Sequence, residues 1–372
     1  MYATRFSGVG PGTTVTSSPP SDPQLSRICF VACTSSGTVT YSHFCMALTI
    51  VPRCGHEPSM RVPGGLGAYP GAMPDVAPLH IVSGKGGTGK TTVALALALM
   101  LRRSGETLVC EVESRHGLTE AAGLAKVEEG EERRVTIGGQ ELRMLSVDSR
   151  HALRDYLDHV RLGVAGALLE KTGFVDFASE LAPGLRDVLL TGKVYQAARR
   201  RMKGQADAVD AVVMDAPPTG RIENFLTAGE ALAEVVVVGP IAPQAQSIMA
   251  LLRAETTQVH LVTTCTEMAL TETLQTIDAL TKHGIAIGHV IVNQVMADPP
   301  PLPDGVTDPA LRAAWERDTA VAAEQRPWAD RLAERLSELG RGPALTLPLL
   351  PDEVGPDDLV QIADLLAEGW YA

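Results

Sequence analysis

The sequence predicts an α/β protein with a mostly parallel central sheet and helices on both faces of that sheet. From Leu79 onward, short β-branched runs that are almost wholly apolar alternate with longer Ala- and Leu-rich stretches. Strands that are apolar at nearly every position are typical of a parallel sheet buried on both sides. The chain has 372 residues, of which 45% are hydrophobic and 4% aromatic, so the core must be built mainly from Ala, Val and Leu.

The apolar runs predict seven strands of such a sheet, each followed by a polar or turn-forming segment. They are Leu79–Ser83, Thr107–Val112, Ala211–Met214, Val235–Val238, His260–Thr263, Val290–Asn293 and Leu345–Leu347. Two further runs, Arg133–Ile137 and Glu141–Val147, flank Gly138-Gly139, a dipeptide typical of a hairpin turn. The Pro-rich segment Asp298–Pro309 is predicted to be a loop, followed by charged helices to about Leu339.

No strand is predicted between Asp148 and Gln205. This segment instead carries apolar residues at helical spacing, which indicates a helical insertion in the sheet domain at about 149–205. One stripe consists of Leu153, Leu157, Val160, Val164 and Leu168, and a second begins at Leu185, Val188 and Leu189.

Residues 1–76 differ in composition from the rest of the chain. They carry four Arg and three acidic residues, a net charge of +1. Because the whole chain has a net charge of −12, residues 77–372 carry −13. Pro, Gly, Ser and Thr fill nearly half of the stretch, and it has no sustained periodicity, as expected of a disordered leader. A signal peptide and an organellar transit peptide are two alternatives. We favour a third explanation, an over-long predicted start, in which the working protein begins near Met60 or Met73. A single domain is expected over 77–372.

Composition excludes several classes of function. A net charge of −12 argues against a nucleic-acid-binding surface, which needs clustered Lys and Arg. No apolar run approaches the roughly 20 residues that a membrane span requires, so direct membrane insertion is not expected. The six cysteines form no C-x-x-C pair, which excludes a zinc ribbon or a thioredoxin-type motif.

The most informative motif runs from Gly84 to Thr91 and fits G-x-x-x-x-G-K-[ST] between a predicted strand and a predicted helix. Its glycines reach backbone angles closed to other residues and turn N–H groups toward an anion, while the helix N-terminus adds its dipole. Lys90 is expected to reach the β- and γ-phosphates of ATP, Thr91 to bind Mg²⁺ and Thr92 to contact the α-phosphate. The remaining predicted phosphate-binding residues are Gly84, Gly86, Gly87, Thr88 and Gly89. The motif predicts a P-loop NTPase fold.

A second segment, which ends in a carboxylate, supports a magnesium site. Val212–Asp215 is an apolar strand that ends in Asp215. This is the placement expected of a Walker B carboxylate, so Asp215 joins Thr91 as a predicted metal ligand.

The lysine that precedes the paired glycines indicates which class of P-loop NTPase the motif resembles. The stretch KGGTGKTT resembles the deviant Walker A motif of the ATPases that include the ArsA arsenite-pump ATPases, the tail-anchored-protein targeting ATPases, the MinD/ParA family and nitrogenase iron protein. In that group the early lysine, here Lys85, crosses a dimer interface to the phosphates of the partner. The resemblance therefore implies a dimer in which Lys85 acts in trans, as an arginine finger would.

Four further segments resemble the ArsA and tail-anchored-protein targeting branch of this group. Asp215–Gly220 is similar to its D-x-A-P-T-G switch, and Glu113–Leu118 lines up with its D-P-A-H-x-L switch. Glu113 stands where the family has an aspartate that orients the attacking water. The segments around Asn293 and Pro348 resemble the adenine-contacting V-N-Q segment and the late P-x-x-P nucleotide loop. The catalytic set implied by motif and resemblance is Lys85, Lys90, Glu113 and Asp215.

The resemblance also suggests a function. Ala182–Lys193 reads APGLRDVLLTGK, which is similar to single-domain actinobacterial anion-transporting ATPases. This implies a cytoplasmic, Mg²⁺-dependent ATPase that forms a homodimer or a heterodimer with a related subunit. Its hydrolysis would be coupled to a membrane transporter or another anion-handling partner. Two alternatives stay open: an ATP-gated carrier or chaperone for a protein client, and a subunit that binds ATP but hydrolyses it poorly because of Glu113.

Overall fold

The structure, a computed structural model, describes residues 29–32, 39–42, 77–112, 116–124, 130–159, 183–235, 241–350 and 352–370. The strands within these ranges are β1 (Cys29–Ala32), β2 (Val39–Ser42), β3 (Leu79–Gly84), β4 (Thr107–Glu111), β5 (Glu132–Ile137), β6 (Gln140–Ser146), β7 (Ala211–Asp215), β8 (Thr257–Thr263), β9 (Ile287–Val295) and β10 (Leu345–Pro348). The helices are α1 (Lys90–Arg102), α2 (Gly117–Ala121), α3 (Ser149–His159), α4 (Pro183–Ala198), α5 (Thr219–Val235), α6 (Ile241–Leu252), α7 (Glu267–Lys282), α8 (Pro309–Glu338) and α9 (Pro356–Trp370).

Eight strands form one sheet in the order β10-β9-β8-β3-β7-β4-β6-β5. Strand β3 lies between β7 and β8 and is parallel to both, and β4 is parallel to β6 and β7. Every residue of β3, β4 and β7 is buried. Because successive side chains point to opposite faces of a sheet, burial of all of them means that both faces are covered. The predicted α/β fold with a mostly parallel sheet is confirmed.

The predicted hairpin is present at the edge of this sheet. Strands β5 and β6 pair antiparallel, with Ile137 opposite Gln140. The two residues between them, Gly138 and Gly139, have φ values of 52° and 77°. A two-residue turn with both φ values positive matches the twist of the strands, and glycine adopts it without steric cost.

Helix α1, which follows β3, is central to the core. All nine residues from Val93 to Leu101 are buried, so the helix has no solvent-facing stripe in this stretch. It packs against β3, β4 and β7 on one side and against α9 on another. Its first turn, which carries Lys90, is therefore held by an extensively packed element.

Other predicted elements differ in detail from the structure. The expected strand Val235–Val238 is wrong at its first residue, because Val235 ends helix α5, and residues 236–240 lie outside the described residues. A short apolar run does not by itself distinguish a strand from a helical segment. The charged segment after the Pro-rich loop forms one long helix, α8, capped by Asp308, whose Oδ1 accepts the backbone N–H of Ala310 at 2.8 Å.

The described parts of the predicted insertion are two helices, α3 and α4, followed by turns at 199–204. Helices α3 and α4 pack together through Ala152, Leu153 and Leu189, with Leu185 beside them. Leu157 lies in α3, whereas Val160, Val164 and Leu168 of the predicted stripe fall in 160–182, outside the described residues.

A cluster of three histidines, His80 and His260 buried and His289 half-buried, lies at the opposite end of β3 from the glycine-rich loop. The backbone N–H of His289 donates to Nδ1 of His260 (3.0 Å), so the ring proton of His260 is on Nε2 and is donated to Nδ1 of His80 (3.1 Å). Trp370 packs against His289 and His260, with ring centroids 4.1 and 4.8 Å away. Burial, with a smaller contribution from His289, lowers the pKa of His80 from 6.5 to about 4. Burial also lowers the pKa of His260 and of His289, so the cluster is neutral at pH 7.

The chain divides into two compact units. The larger comprises Ser59–Thr263, Met268–Ile291 and Val354–Ala372, and the smaller comprises Met1–Pro58, Thr264–Glu267 and Val292–Glu353. Within residues 1–76, β1 and β2 pair antiparallel with Cys29 opposite Ser42, a hairpin that the sequence pattern did not predict. Among the described residues, no helix has the length and apolar character needed to cross a bilayer.

Candidate active site: a phosphate-binding loop and its carboxylates

The glycine-rich loop connects the C-terminal end of β3 to the first turn of α1, as predicted. Gly87 and Gly89 have φ values of 86° and 85°, a region that side-chain-bearing residues rarely adopt. At Gly84 a Cβ atom would lie 2.2 Å from the carbonyl oxygen of Val262 on β8. Glycine is therefore required at Gly84 by close backbone approach and at Gly87 and Gly89 by conformation.

The loop presents its middle to open space. Gly86 and Gly87 are exposed, and a Cβ on either would meet no atom within 4 Å. Thr88 is buried and closes the turn, since its N–H and its hydroxyl both donate to the carbonyl of Lys85, at 3.2 and 2.8 Å. An open glycine backbone that leads into a helix N-terminus is a ready-made anion site.

The predicted magnesium ligands lie together. Thr91 Oγ1 donates to Oδ2 of Asp215 at 2.8 Å. Asp215 is the last residue of β7 and is 8% exposed, and the next residue, Ala216, donates its N–H to the carbonyl of Val82 on β3 at 2.9 Å. The sheet thus places the Asp215 carboxylate beside the first turn of α1, where Lys90 and Thr92 are both half-buried.

A second buried carboxylate, Glu111, lies at the same edge of the sheet and was not predicted from the sequence. It ends β4 directly opposite Asp215 in the parallel register and is 5% exposed. Its Oε1 accepts the N–H of Gly117 at 2.7 Å. A Cβ on Gly117 would lie 3.3 Å from Oε1 of Glu111 and 3.7 Å from Oγ1 of Thr91, so these two oxygens are at most 7 Å apart. The available signal was its position, a carboxylate ending a buried strand next to the strand of Asp215.

The early lysine of the motif is bound by a residue of its own chain. Lys85 Nζ lies 2.7 Å from Oε2 of Glu272 on α7, and Thr219 Oγ1 donates to the other oxygen, Oε1. Partial burial raises the pKa of the Glu272 carboxyl. Hydrogen bonds from Lys85 and Thr219, the charge of Lys85 and the N–H of Gly220 act in the opposite direction. Together they outweigh burial and hold the pKa below its ordinary value. Glu272 was also absent from the predicted site.

The remaining predicted residues fall outside this cluster or outside the described residues. Glu113, the predicted water-orienting residue, lies in 113–115, which the structure does not describe. His116, just after it, has a φ of 55° and accepts the hydroxyl of Thr119 at its carbonyl (2.9 Å). Asn293 and Pro348 belong to the smaller unit, in the neighbouring strands β9 and β10, where the N–H of Leu349 donates to the carbonyl of Val295 at 2.9 Å.

The segment around Asn293 has an unusual backbone. Gln294 has a φ of 59°, one of two positive values at non-glycine positions among the described residues. The side chain of Gln325 stabilises this bend, because its Nε2 donates to the carbonyl of Gln294 (3.2 Å) and its Oε1 accepts the N–H of Met296 (2.8 Å). Backbone conformations of this kind persist where the surroundings fix them, often at ligand-binding segments.

Comparison with known proteins agrees with the motifs. The chain is 42% identical to the ATPase BagA of Mycobacterium tuberculosis and, equally, to a putative ATPase of Mycobacterium bovis, over 220 residues that make up 58% of this chain. It is 26% identical over 191 residues to the ATPase GET3 of Zygosaccharomyces rouxii, which covers 45% of this chain and 51% of that protein. The chain spans 64% of the length of the two mycobacterial relatives.

A family model covers most of the described chain. The model described as anion-transporting ATPase matches residues 79–250 and 242–368, which include the glycine-rich loop, both carboxylate-ending strands and the segments of Asn293 and Pro348. The sequence resemblance to the ArsA branch is thereby confirmed. The chain belongs to the ArsA family of anion-transporting ATPases.

Proposed function

We propose that this chain is a Mg²⁺-dependent ATPase in which Lys90, Asp215 and Lys85 act on the phosphates of ATP. The observation that carries the proposal is the hydrogen bond of Thr91 to Asp215 beside an open glycine loop at the helix N-terminus. The loop fits a polyphosphate because its backbone is unobstructed at Gly86 and Gly87. Family membership and relatives named ATPases support the same activity.

The residues also fit a magnesium ion. The hydroxyl of Thr91 and the carboxylate of Asp215 are hard oxygen donors, which Mg²⁺ prefers, and the buried carboxylate of Glu111 adds negative charge at the same edge of the sheet. Thr91 and Asp215 would hold the ion, which when bound neutralises charge on the phosphates. Lys90 supplies further compensation, and we assign Glu113 to orienting the attacking water.

Further residues are assigned to the nucleotide, most of them in the glycine-rich loop. We assign Gly84, Gly86, Gly87, Thr88, Gly89 and Thr92 to the phosphates, and Asn293 and Pro348 to the adenine. The bend at Gln294 supports a binding role for the neighbouring Asn293.

We further propose that the working state is a nucleotide-driven dimer, with itself or with a related subunit, in which Lys85 reaches the phosphates bound by the partner. Hydrolysis in this cytoplasmic dimer is coupled to a membrane transporter or another anion-handling partner. The description of the family model supports the anion-handling role. The helical carrier for a protein client is a second candidate, supported by the likeness to GET3 and by the paired helices α3 and α4.

Hydrolysis by the full chain with Mg²⁺, measured over a range of protein concentrations, tests this function. We expect specific activity to rise with concentration, because a second subunit supplies Lys85, and to fall about 10³-fold in Lys85→Ala, as for a trans-acting finger. Lys282→Ala, an exposed lysine of α7, is the matched control and should not change activity. Tight ATP binding with negligible turnover that Glu113→Asp restores would instead favour the weakly hydrolysing subunit.

A further inference from the structure

Glu272 joins two segments of the site that are far apart in sequence. Its Oε2 binds Lys85 of the glycine-rich loop at 2.7 Å. Its other oxygen accepts the hydroxyl of Thr219, and the N–H of Gly220 also donates to this carboxylate. Thr219 and Gly220 open helix α5 and follow Asp215 by four and five residues. One carboxylate therefore links the lysine to the segment that carries the magnesium ligand.

This contact is better suited to orienting Lys85 than to holding the fold together. The side chains of Lys85 and Glu272 are 33% and 26% exposed, and an ion pair of that exposure contributes at most about 1 kcal/mol to stability. The backbone that carries Glu272 is well packed. Thr273 and Ile277 of the same helix are buried, and Thr276 donates its hydroxyl to the Glu272 carbonyl at 2.7 Å.

The chemistry of lysine allows the ammonium to keep this contact while it acts on phosphate. An ammonium group has three N–H donors, and the bond to Glu272 uses one of them. A long, flexible side chain is thereby fixed at its charged end, with donors left for a phosphate oxygen. Because Thr219 occupies the other carboxylate oxygen, the direction in which Lys85 points depends on where the 215–220 segment lies.

We propose that Glu272 is the positioning residue for Lys85, coupling the lysine to the Asp215–Gly220 segment through Thr219. This rests on the proposed function and adds a residue to it. Lys85 touches the reacting phosphates, whereas Glu272 acts through Lys85. Loss of Glu272 leaves the P-loop intact and affects the step in which charge develops on the phosphates more than ground-state binding of ATP.

Steady-state ATPase measurements on full-length variants test the role. We expect Glu272→Gln to lower kcat about tenfold with KM for ATP changed less than about twofold, because the lost interaction is one made in the transition state. Thr219→Val should lower kcat about threefold, and Thr219→Ser, which keeps the hydroxyl, should stay within about twofold of wild type. Asp278→Asn removes an exposed carboxylate from the same helix and is the matched control. Equal kcat in Glu272→Gln and Asp278→Asn overturns the proposal.

A chemical readout separates this inference from the proposed function. Acylation of lysines by acetic anhydride in the nucleotide-free protein, quantified by mass spectrometry, reports how firmly each ammonium is bound. We expect Glu272→Gln to raise the acylation rate of Lys85 about threefold relative to Lys282, and Thr219→Val to raise it less. An unchanged rate in Glu272→Gln contradicts the positioning role even if the ATPase is active. If the wild type hydrolyses no ATP, the proposed function fails while the labelling result still decides whether Glu272 fixes Lys85.

Discussion

The hydroxyl of Thr91 donates to the carboxylate of Asp215 across 2.8 Å, which joins the first turn of α1 to the end of β7. The parallel pairing of β3 with β7 makes this contact possible, because it brings the carboxyl ends of both strands to the same edge. The hydrogen bond fixes the orientation of both side chains before a ligand arrives. This preorganisation is what a site built from hard oxygen donors needs.

Replacing the carboxylate should separate magnesium binding from nucleotide binding. Asp215→Asn keeps an acceptor for Thr91 but removes the negative charge, so we expect the affinity for ATP in the presence of Mg²⁺ to fall by about tenfold or more. In EDTA the affinity should match that of the wild type. Titration with a fluorescent ATP analogue, with and without Mg²⁺, checks this. An equal loss in both conditions would show that Asp215 has no part in metal binding.

Glu111 should distinguish charge from hydrogen bonding when two substitutions are compared. Glu111→Gln keeps an oxygen for the N–H of Gly117, so we expect little change in the free energy of unfolding but reduced affinity for Mg²⁺-ATP. Glu111→Ala removes the acceptor as well and should cost about 1–3 kcal/mol of stability. Chemical denaturation and the same titration measure both effects. If Glu111→Gln and Glu111→Ala lost the same stability, the hydrogen bond to Gly117 would have no separate effect and the prediction would be wrong.

Two glycines of the loop should respond in opposite ways to the same added methyl group. Gly84→Ala places a Cβ 2.2 Å from the backbone of Val262, whereas Gly86→Ala meets nothing within 4 Å. We expect Gly84→Ala to destabilise the chain by about 2–4 kcal/mol, since backbone must shift, and Gly86→Ala to stay within about 0.5 kcal/mol. Thermal unfolding without nucleotide is the measurement. A stable Gly84→Ala protein would show that β3 and β8 separate more easily than their packing indicates.

The histidine cluster predicts acid sensitivity. Unfolded His80 takes up a proton near pH 6.5, but folded His80 does so only near pH 4. The free energy of unfolding therefore falls as the pH falls from 6.5 to about 4, by about 3 kcal/mol for this residue. The lowered pKa of His260 acts in the same direction. Guanidinium unfolding at several pH values should show this loss, and His80→Phe should flatten it. His151→Gln, outside the cluster, should not.

The local parts of this structure were predictable from the sequence. The strand Leu79–Ser83, the loop that follows it and the Gly138-Gly139 hairpin rest on periodicity and turn chemistry, which act over a few residues. Glu272 could not be found in this way, because it lies 187 residues from Lys85 and meets it only through the tertiary fold. Glu111 was missed for a different reason, since one carboxylate after an apolar run carries no signal until its neighbouring strand is known.

Strand β3 carries His80 near its start and Gly84, a residue of the proposed phosphate site, at its end. A ligand that binds only the folded chain stabilises it by about 2.7 kcal/mol at a hundredfold excess over its Kd. That gain is close to the roughly 3 kcal/mol lost when His80 is protonated on unfolding. Saturating ATP should therefore protect the protein against acid denaturation, and depletion of ATP in an acidified compartment would remove that protection.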